Sequence, residues 1–246
     1  MINLACWNVK GINGNPKQLG VKSFIVSHKL CLVGLIETRV QASVTGSVFG
    51  DWDSFHNYSS HHLGRTWVGW DPSIIKVSVI DEADQVVHCR VLILDSNEEF
   101  LVSFVYGAND DNDRARLWNN LSSFSNHPRL VLGDFNVVRF TTEINGGNEV
   151  RTNDMDEFAS CIHVTELEDL NYSGCKLTWC NKQYDGTLIH RKLDRVMGNN
   201  AWFSKFSNCV VKFLPHGISD HSPALGSPNL QCKSHSPLLA RTGIRK

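Results

Sequence analysis

Short apolar runs rich in β-branched residues recur along almost the whole chain, and this pattern constrains the fold more than any other feature. Their length and their Val and Ile content favour strands over helices. The predicted strands cover residues 2–6, 31–36, 66–70, 74–80, 86–94, 100–106, 130–132, 177–180, 188–196 and 209–214. A chain with so many short strands needs at least one large sheet to bury them.

Helical spacing of apolar residues is found in fewer places. The pattern predicts helices over 17–29, 112–125 and 153–163, and a short one over 199–206. A polar cluster at 110–112 is suited to cap the second helix. Strands and helices alternate with no internal repeat and no linker before residue 226, so we expect one compact α/β or α+β domain over 1–226. Residues 227–246 carry Lys233, Arg241, Arg245 and Lys246 without any acid, which predicts a basic, disordered tail.

Charge and hydropathy exclude several classes of protein. The formal net charge is −1, so nucleic-acid binding would need a local basic patch or a bound metal ion. The start of the chain lacks the basic and apolar regions of a signal peptide, and no run approaches a membrane span. We therefore expect a protein of the nucleus or cytoplasm that is neither secreted nor membrane-bound. The 8 cysteines form no C-x-x-C pair, which favours reduced, buried thiols over disulfides or a zinc site.

Polar residues follow or end many of the predicted strands. They are Asn8, Glu37, Tyr106, Asp134, Asn136, Asp194, Asp220 and His221. Any one of them alone is best explained as a turn residue or a helix cap. Together they indicate a site, because strand ends that share a sheet sandwich converge on one rim, where a rigid scaffold presents functional groups.

These residue types suit hydrolysis of a phosphodiester. The reaction needs an activated water and neutralisation of the phosphoryl oxygens, and Mg²⁺ is held by carboxylate and amide oxygens. Glu37 is the natural metal ligand, with Asn8 as a companion. Asp134 could orient or deprotonate water, while Asn136 and His221 could donate hydrogen bonds to the phosphoryl oxygens as charge develops.

Two further positions complete the hypothesis. Asp194 could fix the tautomer of His221 and favour its protonated form. Trp179 lies beside Thr178 and just before Lys182, where an aromatic ring with a basic neighbour could lie against a nucleic-acid strand. A core position for this tryptophan is an equally good explanation.

At this point the motifs resemble those of a known family. Cys-Trp-Asn-Val-Lys-Gly-Ile-Asn (6–13), Leu-Ile-Glu-Thr-Arg (35–39), Val-Tyr-Gly (105–107), Gly-Asp-Phe-Asn (133–136), Leu-Asp-Arg-Val (193–196) and Ser-Asp-His-Ser-Pro (219–223) occur in the order of the endonuclease/exonuclease/phosphatase (DNase I-like) superfamily. The segments at 64–72, 116–121 and 177–181 are similar to the endonuclease domain of plant LINE-type non-LTR retrotransposons. The resemblance spans about residues 1–225.

The resemblance implies a four-layer α/β sandwich of two central mixed sheets flanked by helices. It implies an enzyme that acts on DNA with Mg²⁺, or Mn²⁺, at one rim. The sequence does not give the oligomeric state, and we expect a monomer. The implied metal residues are Asn8, Glu37 and Asp220, and the implied catalytic residues are Tyr106, Asp134, Asn136, Asp194 and His221. The nucleic-acid contacts Thr178 and Trp179 are predicted separately, from the aromatic ring and its basic neighbour.

The chain departs from the family pattern in two places. Apurinic-site endonucleases carry an acid where this chain has Lys10, which disfavours a two-metal site and abasic-site repair. The last family strand would run on past Pro223, but a Ser/Pro-rich segment follows Gly226, which predicts a shortened strand.

The leading hypothesis is a Mg²⁺-dependent endonuclease that nicks DNA. A phosphatase or lipid phosphodiesterase on the same scaffold is an alternative, because the fold does not decide the substrate. A catalytically idle retroelement relic that binds nucleic acid is another.

Overall fold

The computed structural model describes residues 2–124, 127–148, 152–183, 185–206 and 208–228. The strands are β1 Leu4–Asn8, β2 Leu32–Ile36, β3 Asp53–His56, β4 Thr66–Trp70, β5 Ile75–Glu82, β6 Val86–Ile93, β7 Glu98–Tyr106, β8 Arg129–Asp134, β9 Ile144–Asn145, β10 Glu168–Asp169, β11 Tyr172–Gly174, β12 Trp179–Cys180, β13 His190–Arg191, β14 Asp194–Gly198, β15 Val210–Phe213 and β16 Ala224–Ser227. The helices are α1 Asn15–Ser27, α2 Thr45–Phe49, α3 Asp111–Ser122, α4 Thr152–Thr165 and α5 Asn200–Lys205.

Two large sheets form the centre of the molecule. The first has 7 strands in the order β11-β15-β16-β1-β2-β4-β3, and the second has 6 in the order β10-β14-β8-β7-β6-β5. Both are mixed: β1 and β2 run parallel in the first sheet, as do β7 and β8 in the second. β12, β13 and β9 form a separate small sheet, which touches the His221 segment through a bridge between Trp179 and His221. The predicted α/β sandwich with two central mixed sheets flanked by helices is confirmed.

Side chains of alternate residues on β1 show how the layers are held. Leu4 faces Phe104 and the rest of the core between the two sheets. Trp7 faces the opposite way, where α1 covers the first sheet with Phe24. On the far side, α3 and α4 cover the second sheet with apolar side chains such as Phe158. A central strand that is buried on both faces reads as one continuous apolar run, which is why β1 was recognisable from the sequence.

Most predicted strands and all predicted helices are present, but two predictions need correction. The predicted strand over 188–196 is two short strands, because the chain changes sheets at 192–193: Arg191 pairs with Ile144 in the small sheet and Asp194 pairs with Asp134 in the second large sheet. The predicted strand over 177–180 keeps only Trp179–Cys180. No strand was predicted where β3 lies, because its polar residues hide the alternation and an edge strand tolerates them.

The last described strand, β16, pairs on both sides, although the sequence predicted a shortened strand there. β16 reaches Ser227 and pairs with β1 on one side and β15 on the other, with Cys6 opposite Ala224 and Leu4 opposite Gly226. The predicted tail beyond residue 228 lies outside the described residues. No helix in the described ranges is long and apolar enough to cross a membrane. Their cysteines are free thiols, and most are buried.

Candidate active site

Strand direction brings the polar residues at the strand ends to one rim. Asn8 ends β1 and Glu37 follows β2, its parallel neighbour. Tyr106 ends β7 opposite Asp134, which ends the parallel strand β8. The rims of the two sheets meet there, because Asn8 Nδ2 donates a hydrogen bond of 2.9 Å to Asp134 Oδ2 across the sandwich. The sequence therefore places these groups in one site although they lie far apart along the chain.

Antiparallel neighbours complete the rim. β14 runs against β8, so its first residue, Asp194, lies opposite Asp134. His221 precedes β16, which runs against β1. His221 Nδ1 lies 2.9 Å from Asp194 Oδ2, and its Nε2 lies 3.7 Å from Asp134 Oδ2. The imidazole is held between two buried carboxylates.

Asp134 is fixed by further hydrogen bonds. Its Oδ1 accepts from the backbone N–H of Asn136 at 2.9 Å. Asn136 is in the left-handed region with φ of 51°, and its Nδ2 donates to the carbonyl of Gly107 at 2.7 Å. The tight turn of Gly-Asp-Phe-Asn thus holds the carboxylate in one orientation at the rim.

Burial and charge shift the pKa values of the central groups. Burial raises the pKa of Asp134 to about 6, against the opposing effect of His221. Burial alone would lower the pKa of His221, but the carboxylates of Asp194 and Asp134 raise it to about 9. Burial, with Glu37 and Asp134 nearby, raises the pKa of Tyr106 far above its ordinary value. At neutral pH the site therefore holds an imidazolium and a phenol, both hydrogen-bond donors, beside the ionised carboxylate of Asp134.

The remaining acids of the site are paired with cations. Asp220 Oδ2 bonds to Lys10 Nζ and also accepts from Trp179 Nε1 at 3.1 Å. Glu37 Oε1 bonds to Arg39 Nη2. Burial would raise the pKa of Asp220, but the hydrogen bond from Lys10 and the charge of His221 lower it.

Thr178 has a different place from the one predicted. Its side chain is fully buried, and its Oγ1 accepts from the backbone N–H of Leu193 at 3.1 Å and of Asp194 at 2.9 Å. This arrangement positions the start of β14 and leaves the hydroxyl no surface for nucleic acid. Trp179 is partly exposed, and its ring centre lies 6.4 Å from that of His221.

A cavity of about 440 Å³ opens over these groups. Buried carboxylates form its floor, and cationic side chains that sequence reasoning did not assign to the site stand around it, among them Arg39 and Arg191. Ser219 was also missed: its Oγ donates to the carbonyl of Asn8 at 2.7 Å and links the His221 loop to β1. The only sequence signal for these residues is their position inside or beside the motifs.

The donor set fits a hard divalent cation. Glu37, Asp220 and the Asn8 amide offer oxygen atoms, which are the ligands such ions prefer. Ligand atoms of Asp134, Asp194 and His221 also lie within 4.8 Å of one another. That cluster includes an imidazole nitrogen, which is hydrogen-bonded to Asp194, whereas Glu37, Asp220 and Asn8 offer oxygen atoms alone and match a hard cation better.

The two central sheets, with this polar rim, define a protein with the DNase I-like α/β sandwich fold of endonuclease/exonuclease/phosphatase proteins. One solved structure with this fold is the endonuclease domain of TRAS1, a telomere-specific non-LTR retrotransposon. It matches at 14% identity and a TM-score of 0.70 over 94% of this chain and 100% of that domain.

Other similar structures have different functions. The AP endonuclease LMAP of Leishmania major matches at 15% identity and a TM-score of 0.67, over 92% of this chain and 86% of its own. A mannosyl-6-phosphatase of Bacteroides thetaiotaomicron matches at 14% identity and 0.60, over 92% and 99%. No protein-family model and no curated protein matches the chain. These likenesses show the fold, and the substrate must be argued from the site.

Proposed function

We propose that this chain is a metal-dependent phosphodiesterase that nicks DNA, as an endonuclease of retrotransposon type. The observation that carries the proposal is the chain of contacts from Asn8 through Asp134 to His221 and Asp194, which joins both sheets at one rim of an open cavity. The fold likeness to the TRAS1 endonuclease domain supports the choice of a nuclease. The closer likeness to plant LINE endonucleases, one domain over 1–226, action as a monomer and a nuclear or cytoplasmic location stay predictions from the sequence.

The site residues divide the reaction between them. Asp134 has a pKa of about 6 and is ionised above that pH. It takes a proton from a water molecule whose oxygen bonds to phosphorus. The bond between phosphorus and the leaving sugar oxygen breaks, and that oxygen takes up a proton from solvent. Protonated His221 and Tyr106 donate hydrogen bonds to the phosphoryl oxygens as their charge grows. Asp194 holds the imidazolium in place.

A Mg²⁺ or Mn²⁺ ion would be held by Glu37 and Asp220 with the Asn8 amide. When bound it supplies charge neutralisation at the phosphoryl group. Asn136 fixes Asp134 through its backbone N–H and lines the cavity. Thr178 positions Asp194 by accepting a hydrogen bond from its backbone N–H. Trp179 has a partly exposed ring at the cavity edge on which a base can stack.

Nicking of supercoiled plasmid in the presence of Mg²⁺ tests this function. We expect EDTA to abolish nicking, and we expect Asp134→Ala and His221→Ala each to slow it by about 10²–10⁴-fold, because each removes a proton-transfer or charge-stabilising group. Lys76→Ala is the matched control, since Lys76 is exposed on the edge strand β5 and should leave the rate unchanged.

Different outcomes separate the candidate functions. Hydrolysis of phosphate monoesters or inositol phosphates without any nicking would replace the proposal by a phosphatase. Neither activity, with DNA still bound, would replace it by an idle binding domain. Nicking that is unchanged in both variants would refute the assigned site.

A further inference from the structure

Two cationic side chains form ion pairs with the carboxylates that are proposed to bind the metal. Lys10 bonds to Asp220 and Arg39 bonds to Glu37. The side chains of the two acids are only 4% and 9% exposed, whereas those of Lys10 and Arg39 are 50% and 53% exposed. The carboxylates are therefore fixed in the site, and the cations are held on stems that are free to move into the cavity.

Hydrogen bonds tie together the backbone that carries Lys10, Glu37 and Arg39. The loops after β1 and β2 are joined by hydrogen bonds, with the N–H of Gly11 donating to the carbonyl of Glu37 at 2.7 Å. Gly11 lies under the side chain of Arg39, because a Cβ atom at Gly11 would be 3.8 Å from Arg39 Cδ. Lys17 Nζ donates to the carbonyls of Val9 and Lys10 at 3.0 and 2.8 Å. The backbone is thus tied by these contacts, whereas about half of the Lys10 and Arg39 side-chain surface is exposed.

The same residues adopt unfavourable backbone conformations. Lys10, Glu37 and Arg39 have φ values of 46°, 56° and 54°. Left-handed backbone is unfavourable for a residue with a side chain, and it persists where the surrounding structure requires it. The fold thus specifies the backbone positions from which Lys10 and Arg39 reach the two acids.

The charges match those of a divalent ion. Two carboxylates carry two negative charges, and Lys10 and Arg39 together supply two positive charges, the same as one divalent cation. Either set can neutralise Asp220 and Glu37, but the oxygen of Asp220 that faces Lys10 also accepts from Trp179 and has little room for a further partner. Lys10 and a metal ion would therefore compete for that oxygen of Asp220, and Arg39 and a metal ion would compete for the charge of Glu37.

We propose that Lys10 and Arg39 are resident counter-ions of the metal site. They neutralise Asp220 and Glu37 in the metal-free protein, and a divalent cation that binds those acids displaces them into the cavity. There they pair with substrate phosphates next to the one that is cleaved. This inference rests on the proposed phosphodiesterase function, and it couples metal loading to DNA binding.

Calorimetric titration of the whole chain with Mg²⁺ alone tests the first half. We expect Lys10→Ala and Arg39→Ala each to bind Mg²⁺ about three- to tenfold more tightly than the unsubstituted chain, because each loses an ion pair that competes with the metal. Lys10→Arg and Arg39→Lys keep the charge and should stay near the original affinity. Lys76→Ala is the control for a lysine outside the site.

Binding of a fluorescent DNA duplex with Mg²⁺ present, in a His221→Ala background, tests the second half. Here Lys10→Ala and Arg39→Ala should weaken binding, and each should reduce the slope of log affinity against log salt by about 1. The opposite signs are the signature of the proposal, because an ion pair with a purely structural role would not tighten metal binding while weakening DNA binding.

The outcomes are separable from those of the proposed function. Mg²⁺ affinity that is unchanged or weaker in Lys10→Ala and Arg39→Ala, or an unchanged salt slope, would overturn the counter-ion role even if nicking is observed. No Mg²⁺ binding by the unsubstituted chain, and no difference in Glu37→Ala, would instead remove the metal site and with it the proposed function. Circular dichroism confirms that each variant is folded, and Lys10→Met repeats the measurement with an aliphatic stem retained.

Discussion

Replacing Asp194 with asparagine should release a proton from His221 and change how stability depends on pH. Asp194 is the largest of the charges that raise the pKa of His221 to about 9, against the opposing effect of burial. In Asp194→Asn, only the charges of Asp134 and Asp220 oppose the effect of burial on the pKa of His221. We expect the pKa of His221 to fall from about 9 toward its ordinary value of 6.5.

The size and sign of the effect follow from linkage. A histidine whose folded pKa is raised adds stability that is fully present below pH 6.5 and is lost as the pH rises through about 9. The difference between those two values corresponds to about 3 kcal/mol, since each pH unit is worth about 1.4 kcal/mol. Burial raises the pKa of Asp134 only to about 6, so its titration lies below this window. Buried thiols such as Cys31, whose pKa is raised from 9.0 to about 11, reduce stability only from about pH 9 upward, and they do so in both proteins.

Urea unfolding in EDTA, followed by tryptophan fluorescence across this pH window, measures the loss. The unsubstituted chain should lose about 3 kcal/mol of unfolding free energy between pH 6.5 and a pH above 9, and Asp194→Asn should lose much less. An NMR titration of the His221 ring gives its pKa directly. A ring that titrates near 6.5 in the unsubstituted chain, or two proteins with the same pH dependence, would refute the reasoning.

Three further changes test the frame of the site. Gly133→Ala should destabilise the chain by at least about 3 kcal/mol in urea unfolding, because φ is 148° and a Cβ atom would lie 2.0 Å from the carbonyl oxygen of Val105. Thr178→Val should lower the free energy of unfolding by about 1–3 kcal/mol for each of the two backbone N–H groups left without an acceptor. Thr178→Ser keeps the hydroxyl and should lose much less. Equal losses in the two variants would contradict the hydrogen-bonding role. Glu37→Ala should abolish the rise in Tm that Mg²⁺ produces in the unsubstituted chain, and a retained rise would place the metal elsewhere.

The sequence was informative wherever a buried strand ended in a polar residue. Strands such as β1 and β8 are apolar throughout because both faces are covered, so their ends were easy to locate. Strand direction then brought Asn8, Glu37 and Asp134 to the same rim. The convergence of these groups could be predicted, whereas their roles remain to be tested by the experiments above.

Contacts between distant segments could not be read from the sequence. Arg195 belongs to a recognised motif, yet nothing local predicts that it is fully buried and paired with Glu143 and Asp169. Its burial arises because β14 lies inside a sheet, between β10 and β8. A buried cation needs such partners, and here they tie the segment before β9 to the strand that starts with Asp194. The support of the site is therefore a tertiary property.

The distribution of charge also depends on the fold. A net charge of −1 argues against general attraction to DNA. In the folded chain, however, Asp134 and Asp220 are buried on the cavity floor and Asp194 is buried behind His221, while Lys10 and Arg39 reach the surface. The partners of the buried acids partly neutralise them, and the exposed cations are the charged groups nearest to an approaching phosphate backbone. Because few cations are arranged in this way, DNA binding should be weak and should depend on the metal, so a strong salt-dependent affinity without any divalent ion would contradict this view of the site.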